Sequence, residues 1–282
     1  MRALQRAGGA DPSVRVDARE AWRATRNQDG LATVRYAADG ADIVVEAWGP
    51  GAELELERAP DVLGGADSLD GFTPVHPLIA DLHRRFPGLR ITKTSAVFEA
   101  LVHTVFEQKV IGAEARNGYM RLIKALGEPA PGPAGMIVPP GAARLARTPY
   151  FEFHSFALER RRAETVIRAA RRAGWLEACV DLRPEEARLR MTTLPGIGAW
   201  TAAQVAMVAL GDADAVPVGD YHHPNMVAWA FTGQRVGDDA MMLELLEPYR
   251  GHRGRVLRLL LAGGVGPPRR GPRLAFRRME LG

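Results

Sequence analysis

At 282 residues the chain is long enough for about two domains of the usual ~150 residues each, with length to spare for a buried core. Hydrophobic residues make up 46% of it and charged residues 25%, and no apolar run approaches the ~18 residues of a membrane-spanning helix, so a spanning protein is excluded. Cys179 is the sole cysteine, which excludes intrachain disulfides, cysteine-based zinc sites and a four-cysteine cluster; with an N-terminus (MRALQRAGGADPSVR) that lacks a signal peptide's apolar core, this predicts a cytoplasmic protein.

Charge is unevenly distributed. Residues 1–70 hold 8 Arg against 13 acidic residues, whereas residues 251–282 hold 8 Arg against a single Glu, so a polyanion is expected to meet the C-terminal part. Only Lys93, Lys109 and Lys124 are lysines, and a GC-rich genome accounts for the arginine bias as well as nucleic-acid binding does.

Period-two alternation runs through LATVRYA from Leu31, through ADIVVEAW after Asp39-Gly40, and through AELELER after Gly49-Pro50-Gly51. Such runs, parted by turn residues, predict antiparallel strands with one face in water, making residues 1–75 a small α/β layer. After Pro87-Gly88, Val97, Phe98, Leu101, Val102, Val105 and Phe106 recur at helical spacing, with Thr94 or Ser95 as the expected cap. The Pro/Gly-rich stretch at 127–141 reads as a long connection. A helix is expected again over 156–173, where Arg160, Arg161, Arg162, Arg168, Arg171 and Arg172 form a basic surface.

Pro184, Glu185 and Glu186 suit a first helical turn, because proline needs no donor there and acids complement the dipole; the helix should end near Thr192. Gly196 and Gly198 then lie directly before AWTAAQVAMVAL, which runs to Gly211. A helix-hairpin-helix over about 184–210 results, with backbone amides at the start of the second helix able to face a phosphate oxygen. For the two glycines alone, an ordinary αα-hairpin is the plain alternative.

With Leu194, Pro195, Gly196, Ile197, Gly198, Thr201 and Ala202 all in place, the chain resembles the helix-hairpin-helix DNA glycosylases, in the branch of bacterial 3-methyladenine DNA glycosylase II. The resemblance extends to VPVGDYHHPN, whose Asp220-Tyr221 follows the hairpin by about twenty residues, and to FEALVHTVFEQKV upstream. It implies a mainly α fold of two helical lobes over residues 76–282, preceded by the antiparallel α/β layer. It also implies a monomer that excises a damaged base from double-stranded DNA near the nucleoid, with no required cofactor and room for a structural monovalent cation at the hairpin.

By the same resemblance, Asp220 is the catalytic carboxylate, and Trp200, Gln204, Tyr221, Gln108 and Arg258 surround the base pocket. Gly196, Ile197, Gly198, Thr201 and Lys109 contact DNA. Trp200 stands where lyase-active relatives carry a lysine, which implies base release without a Schiff base. Lys109 takes the place of an apolar wedge, Gln204 replaces one pocket aromatic, and Arg258 falls near the place of another. Each residue also has a plainer role: Asp220 as a helix cap, Trp200 as a buried structural ring, Tyr221 in a structural hydrogen bond, Gln108 as a cap on a buried polar group, and Lys109 as a phosphate contact. His222-His223 lacks a third ligand at zinc spacing, so no metal site is expected. Rival readings are a non-catalytic DNA-binding protein and a glycosylase for deaminated or oxidised bases.

Overall fold

The computed structural model describes residues 9–268, so the arginine-rich stretch from Arg269, expected to track phosphates or to be a solvated tail, lies outside the described residues. Four strands, β1 (Val14–Val16), β2 (Glu20–Asn27), β3 (Gly30–Asp39) and β4 (Asp42–Trp48), pair in chain order as an antiparallel sheet. Two-residue loops join β2 to β3 and β3 to β4, the second at Gly40-Ala41 with Gly40 at φ +62°, as the Asp39-Gly40 turn predicts.

The third alternating run is not a strand. AELELER begins helix α1 (Ala52–Val62), in which Glu55, Ala59 and Val62 are buried at helical spacing while Leu56 faces outward. Its Leu-Glu alternation imitates period two, yet Ala, Leu and Glu are strong helix formers and the face that packs on the sheet includes a glutamate. Nor does the sheet keep one wet face. Ala21, Val34 and Tyr36 pack on α1, and on the opposite side Trp22 and Ala24 meet Met136 and Val138 of the Pro/Gly-rich stretch. That stretch contains a small ladder of its own, β5 (Glu128–Pro129) with β6 (Ile137–Val138).

The helical region has two hydrophobic clusters. In the first, α3 (Val97–Glu107) is buried along nearly its whole length against α4 (Gly112–Leu126), α6 (Arg160–Ala170) and α9 (Ala199–Val205). In the second, α2 (Pro77–Arg85), α10 (His223–Thr232), α11 (Asp239–Leu246) and α12 (Arg253–Ala262) gather around Leu82, Met226, Leu246 and Leu257. Short helices α5 (Ala142–Arg147) and α7 (Ala173–Glu177) and the hairpin's first helix α8 (Pro184–Thr192) complete the set.

Two local expectations are corrected. Neither Thr94 nor Ser95 caps α3; the Glu177 carboxylate, brought by α7, accepts from the amides of Val97 and Phe98, both at 2.9 Å. The helix expected from 156 starts only at Arg160, because a 3-10 turn over Tyr150–Phe156 ends at left-handed Ala157. Arg162 is not part of the basic surface either, since it is buried and donates to the carbonyl of Phe106 at 3.2 Å.

A buried ion cluster ties sheet to helices. Arg23 on β2 donates to Glu55 of α1 at 3.2 Å and to Glu99 of α3 at 3.1 Å, and the side chains of Arg23 and Glu55 are 3% and 2% exposed. Breaking such a pair from one side leaves an uncompensated buried charge. Arg23→Met is therefore expected to cost about 3–5 kcal/mol in urea unfolding, with much of it recovered in Arg23→Met/Glu55→Met.

Candidate active site

The hairpin forms as the sequence indicates: α8 runs from Pro184 to Thr192, Gly196 turns the chain at φ +95°, and α9 begins after Gly198. The helix continues through one π-type turn at Ala206–Leu210 and stops at left-handed Gly211. The two glycines serve different needs. A Cβ on Gly196 would run into Thr165 of α6, approaching its Cγ2 to 2.9 Å, in a backbone region that side chains rarely adopt. Gly198 has extended backbone, φ −96° and ψ −179°, and a Cβ there would meet nothing within 4 Å. Its open side is where an outside group can come close to the first amides of α9, which have no partner inside the helix.

The hairpin is held from beneath. Gln108, at the end of α3, donates from Nε2 to the carbonyl of Gly196 at 3.1 Å and to Thr201 Oγ1 at 2.9 Å. Arg168 of α6 donates to the carbonyl of Pro195 at 2.7 Å. Gln108 stays half-buried and braces the hairpin, while two residues expected at DNA turn inward: Thr201 is 3% exposed and accepts from Gln108, and Ile197 is 4% exposed with its amide given to Leu194. Of the hairpin residues expected at DNA, Gly196 and Gly198 remain on the surface.

Lys109 follows Gln108, is exposed, and holds φ +55°, so the α3–α4 turn presents it beside the braced hairpin. A left-handed lysine is uncommon and carries a strain cost of about 1–3 kcal/mol.

Asp220 sits at the entrance to α10, after Gly219, whose own amide is held by the Asp239 carboxylate. Its Oδ1 accepts from the amides of His222 at 2.7 Å and His223 at 2.9 Å, and its Oδ2 accepts from Trp200 Nε1 at 2.9 Å. The plain helix-cap role is thus present, with the carboxylate closing the start of α10. Burial pushes the Asp220 carboxyl up, but the His223 ring, the Trp200 N–H and the two amides together hold it below the ordinary carboxylate range. The buried His223 ring stands with Nδ1 3.4 Å from Asp220 Oδ1. Burial, with His222 and Arg258 nearby, outweighs the pull of Asp220 and lowers the ring's pKa. At neutral pH the ring is then uncharged, and the hydrogen bonds that reach the carboxylate come from Trp200 and the two backbone amides.

Trp200 and Gln204 lie one turn apart on the same face of α9, and Met207 follows them. Arg258 of α12 donates from Nε to Met207 Sδ at 2.9 Å. The structure therefore gathers Asp220, Trp200, His223 and Arg258 around one face of α9. Tyr221 is not among them: it is 83% exposed and makes an edge contact with His222. Sequence reasoning missed His223 and Asp239 as supports of the carboxylate. The offset of three residues from Asp220 to His223 was visible, but the two histidines drew attention as metal ligands instead.

The overall fold has counterparts among solved structures. A 3-methyladenine DNA-glycosylase from Archaeoglobus fulgidus superposes with a TM-score of 0.75 over 89% of each chain at 22% identity. The chain has the fold of the helix-hairpin-helix DNA glycosylases. A Clostridium acetobutylicum 8-oxoguanine glycosylase/lyase, solved with double-stranded DNA containing cytosine opposite 8-oxoG, shares this glycosylase fold with a TM-score of 0.65 at 15% identity, covering 89% of this chain and 97% of that one. A curated Mycobacterium tuberculosis protein named "Probable bifunctional transcriptional activator/DNA repair enzyme AlkA" is 30% identical over 173 residues, which make up 59% of this chain. The match spans 33% of that relative's length. No protein-family model matches the chain.

Within this glycosylase fold, Gly196→Ala is expected to cost about 2–5 kcal/mol from backbone strain and overpacking. Gly198→Ala should stay within ~0.5 kcal/mol of the parent. Urea unfolding of the two variants checks the contrast; equal costs would contradict it.

Proposed function

We propose that the protein is a monofunctional DNA glycosylase that extrudes a damaged, alkylated base from duplex DNA and hydrolyses its N-glycosidic bond. The observation that carries this reading is the Asp220 carboxylate, held anionic by Trp200 and two backbone amides in a glycosylase fold whose hairpin leaves Gly198 open. As the base departs, positive charge builds on the sugar, and a fixed carboxylate in a partly dry site stabilises that charge and orients water. A single acid suffices where the leaving base is already cationic.

The hairpin amides bind backbone phosphate without reading sequence, which fixes the duplex against the cleft. Extruding a nucleotide costs a few kcal/mol, least for a weakened pair. Lys109, projecting from its left-handed turn, is the residue placed to fill the vacated stack or to take a phosphate. Absence of a lysine at position 200 supports release without a covalent adduct. Gln204 offers no aromatic face and Arg258 is cationic, so a positively charged alkylated base finds fewer favourable contacts than an aromatic cage gives. The range is accordingly narrow, favouring bases whose glycosidic bond is weak.

Asp220→Asn is expected to lower single-turnover base release by at least ~10²-fold while duplex binding survives. Mass spectrometry of bases freed from methylated duplex checks this; near-parental release by the variant would remove Asp220 from the mechanism, and no release by the parent would favour a binding protein. Trp200→Phe deletes one donor to the carboxylate, an interaction worth about 1.5–3 kcal/mol for a charged partner. Because that donor lowers the Asp220 pKa, its loss raises it. Excision needs the anion, so activity in the variant should fall off at a higher pH than in the parent as the solution is acidified. A pH profile of single-turnover rates reads the shift.

A further inference from the structure

The arginines of α6 and α5 are not absorbed by the reading above. Beside the hairpin, and away from Asp220, lies a surface cavity of about 350 Å³ between α5, the 3-10 turn and α6, lined by Arg147, Thr148, Tyr150, Glu164, Arg168 and Arg171. That is roughly ten times the ~30 Å³ share of one liquid water.

Its charge is one-sided. Glu164 is the single acid in the wall, and it is held by Arg160 at 2.7 Å, whose guanidinium in turn stacks over Tyr150 with its carbon 4.8 Å from the ring centre. Among the described residues, Arg147, Arg168 and Arg171 form no ion pair with a carboxylate. Arginine does not shed its proton to relieve repulsion, so three guanidiniums around one cavity favour an anion, and their forked donors match the oxygens of a phosphate.

Location narrows the anion's source. Arg168 lines the cavity and also donates to the Pro195 carbonyl in the hairpin at 2.7 Å. Thr165, one turn earlier on α6, is the residue against which Gly196 packs. The cavity therefore lies within one arginine side chain of the hairpin loop. Phosphates follow one another along a strand, so a backbone seated on the hairpin amides brings further phosphates toward α6.

We propose that Arg147, Arg168 and Arg171 form a second phosphate site, which takes the backbone of the bound duplex where it runs past the hairpin over α6. The proposal rests on the DNA-binding reading above. It predicts that affinity depends on duplex length on the α6 side and that contacts there, like those of the hairpin, carry no sequence preference.

The test measures the salt dependence of duplex binding by fluorescence anisotropy for the parent and for Arg147→Ala/Arg171→Ala, both surface positions, with circular dichroism melts to confirm that the variant is folded. Each lost phosphate contact lowers the slope of log K against log salt by about 0.9. The expected result is a slope smaller by about 1–2 on a long duplex, for every sequence tested, and a smaller difference on a duplex trimmed on the α6 side. Equal slopes for the two proteins on the long duplex overturn the proposal. If the same substitutions abolish binding of inorganic phosphate, titrated alone, while the slopes stay equal, the cavity is a site for free phosphate and the proposal is again overturned. Failure of the parent to bind any duplex at low salt instead overturns the DNA-binding reading itself, and the proposal with it.

Discussion

The hydrogen bond from Trp200 to Asp220 joins the two helical lobes. Trp200 belongs to α9, which packs into the cluster around α3, while Asp220 opens α10, which packs with α2 and α12. A carboxylate hung from one lobe and gripped from the other keeps its orientation only while both lobes keep theirs. Arg258 reaching from α12 to Met207 crosses the same boundary on the same helix face. The site is thus a junction rather than a motif on one element, and much of the remaining structure serves to fix the two sides.

On the hairpin side the fixing is done by three residues from two helices, α3 and α6. Thr165 fills the space that a Cβ on Gly196 would take, Gln108 holds the Gly196 carbonyl and Thr201, and Arg168 holds the Pro195 carbonyl. Carbonyls pulled inward leave the amides on the outside, which suits an anionic partner. Gln108 is in turn positioned by α3, whose first turn is capped by Glu177 and whose Glu99 is bound to Arg23 of the sheet. The N-terminal layer is thus tied to the helix whose C-terminal end leads into Gln108 and then Lys109.

Arginine does two kinds of work in this molecule. Arg23, Arg162 and Arg255 are buried and donate to carboxylates or carbonyls, Arg255 to Asp67 at 2.5 Å and to the carbonyl of Ser68 at 2.8 Å. Those charges are cross-links between elements. Others, such as Arg147 and Arg171, stay on the surface beside the hairpin. A count of basic residues merges the two groups, which is why net charge alone balanced a genome bias against a polyanion partner.

Local chemistry made several features legible in the chain itself. Pro184 with two acids marks a helix start, a positive-φ glycine at 196 marks a turn, and alternation from Leu31 to Trp48 marks a hairpin of strands; each depends on residues adjacent in sequence, and each stands in the structure. Asp220 was marked by the family resemblance rather than by local chemistry, and Trp200 donates to it in the structure. Tertiary structure decided the rest. AELELER is a helix because the sheet needs Glu55 opposite Arg23, and the sheet's second face is dry because Met136 and Val138, over a hundred residues away from Trp22, cover it. Ile197 and Thr201 face inward and Tyr221 outward because side-chain direction is set by what packs behind each element. Sequence alone determined where the chain turns and which residues can bear charge; packing between distant segments decided which of those residues meet one another, because burial and hydrogen-bond partners are properties of contacts that local sequence does not contain.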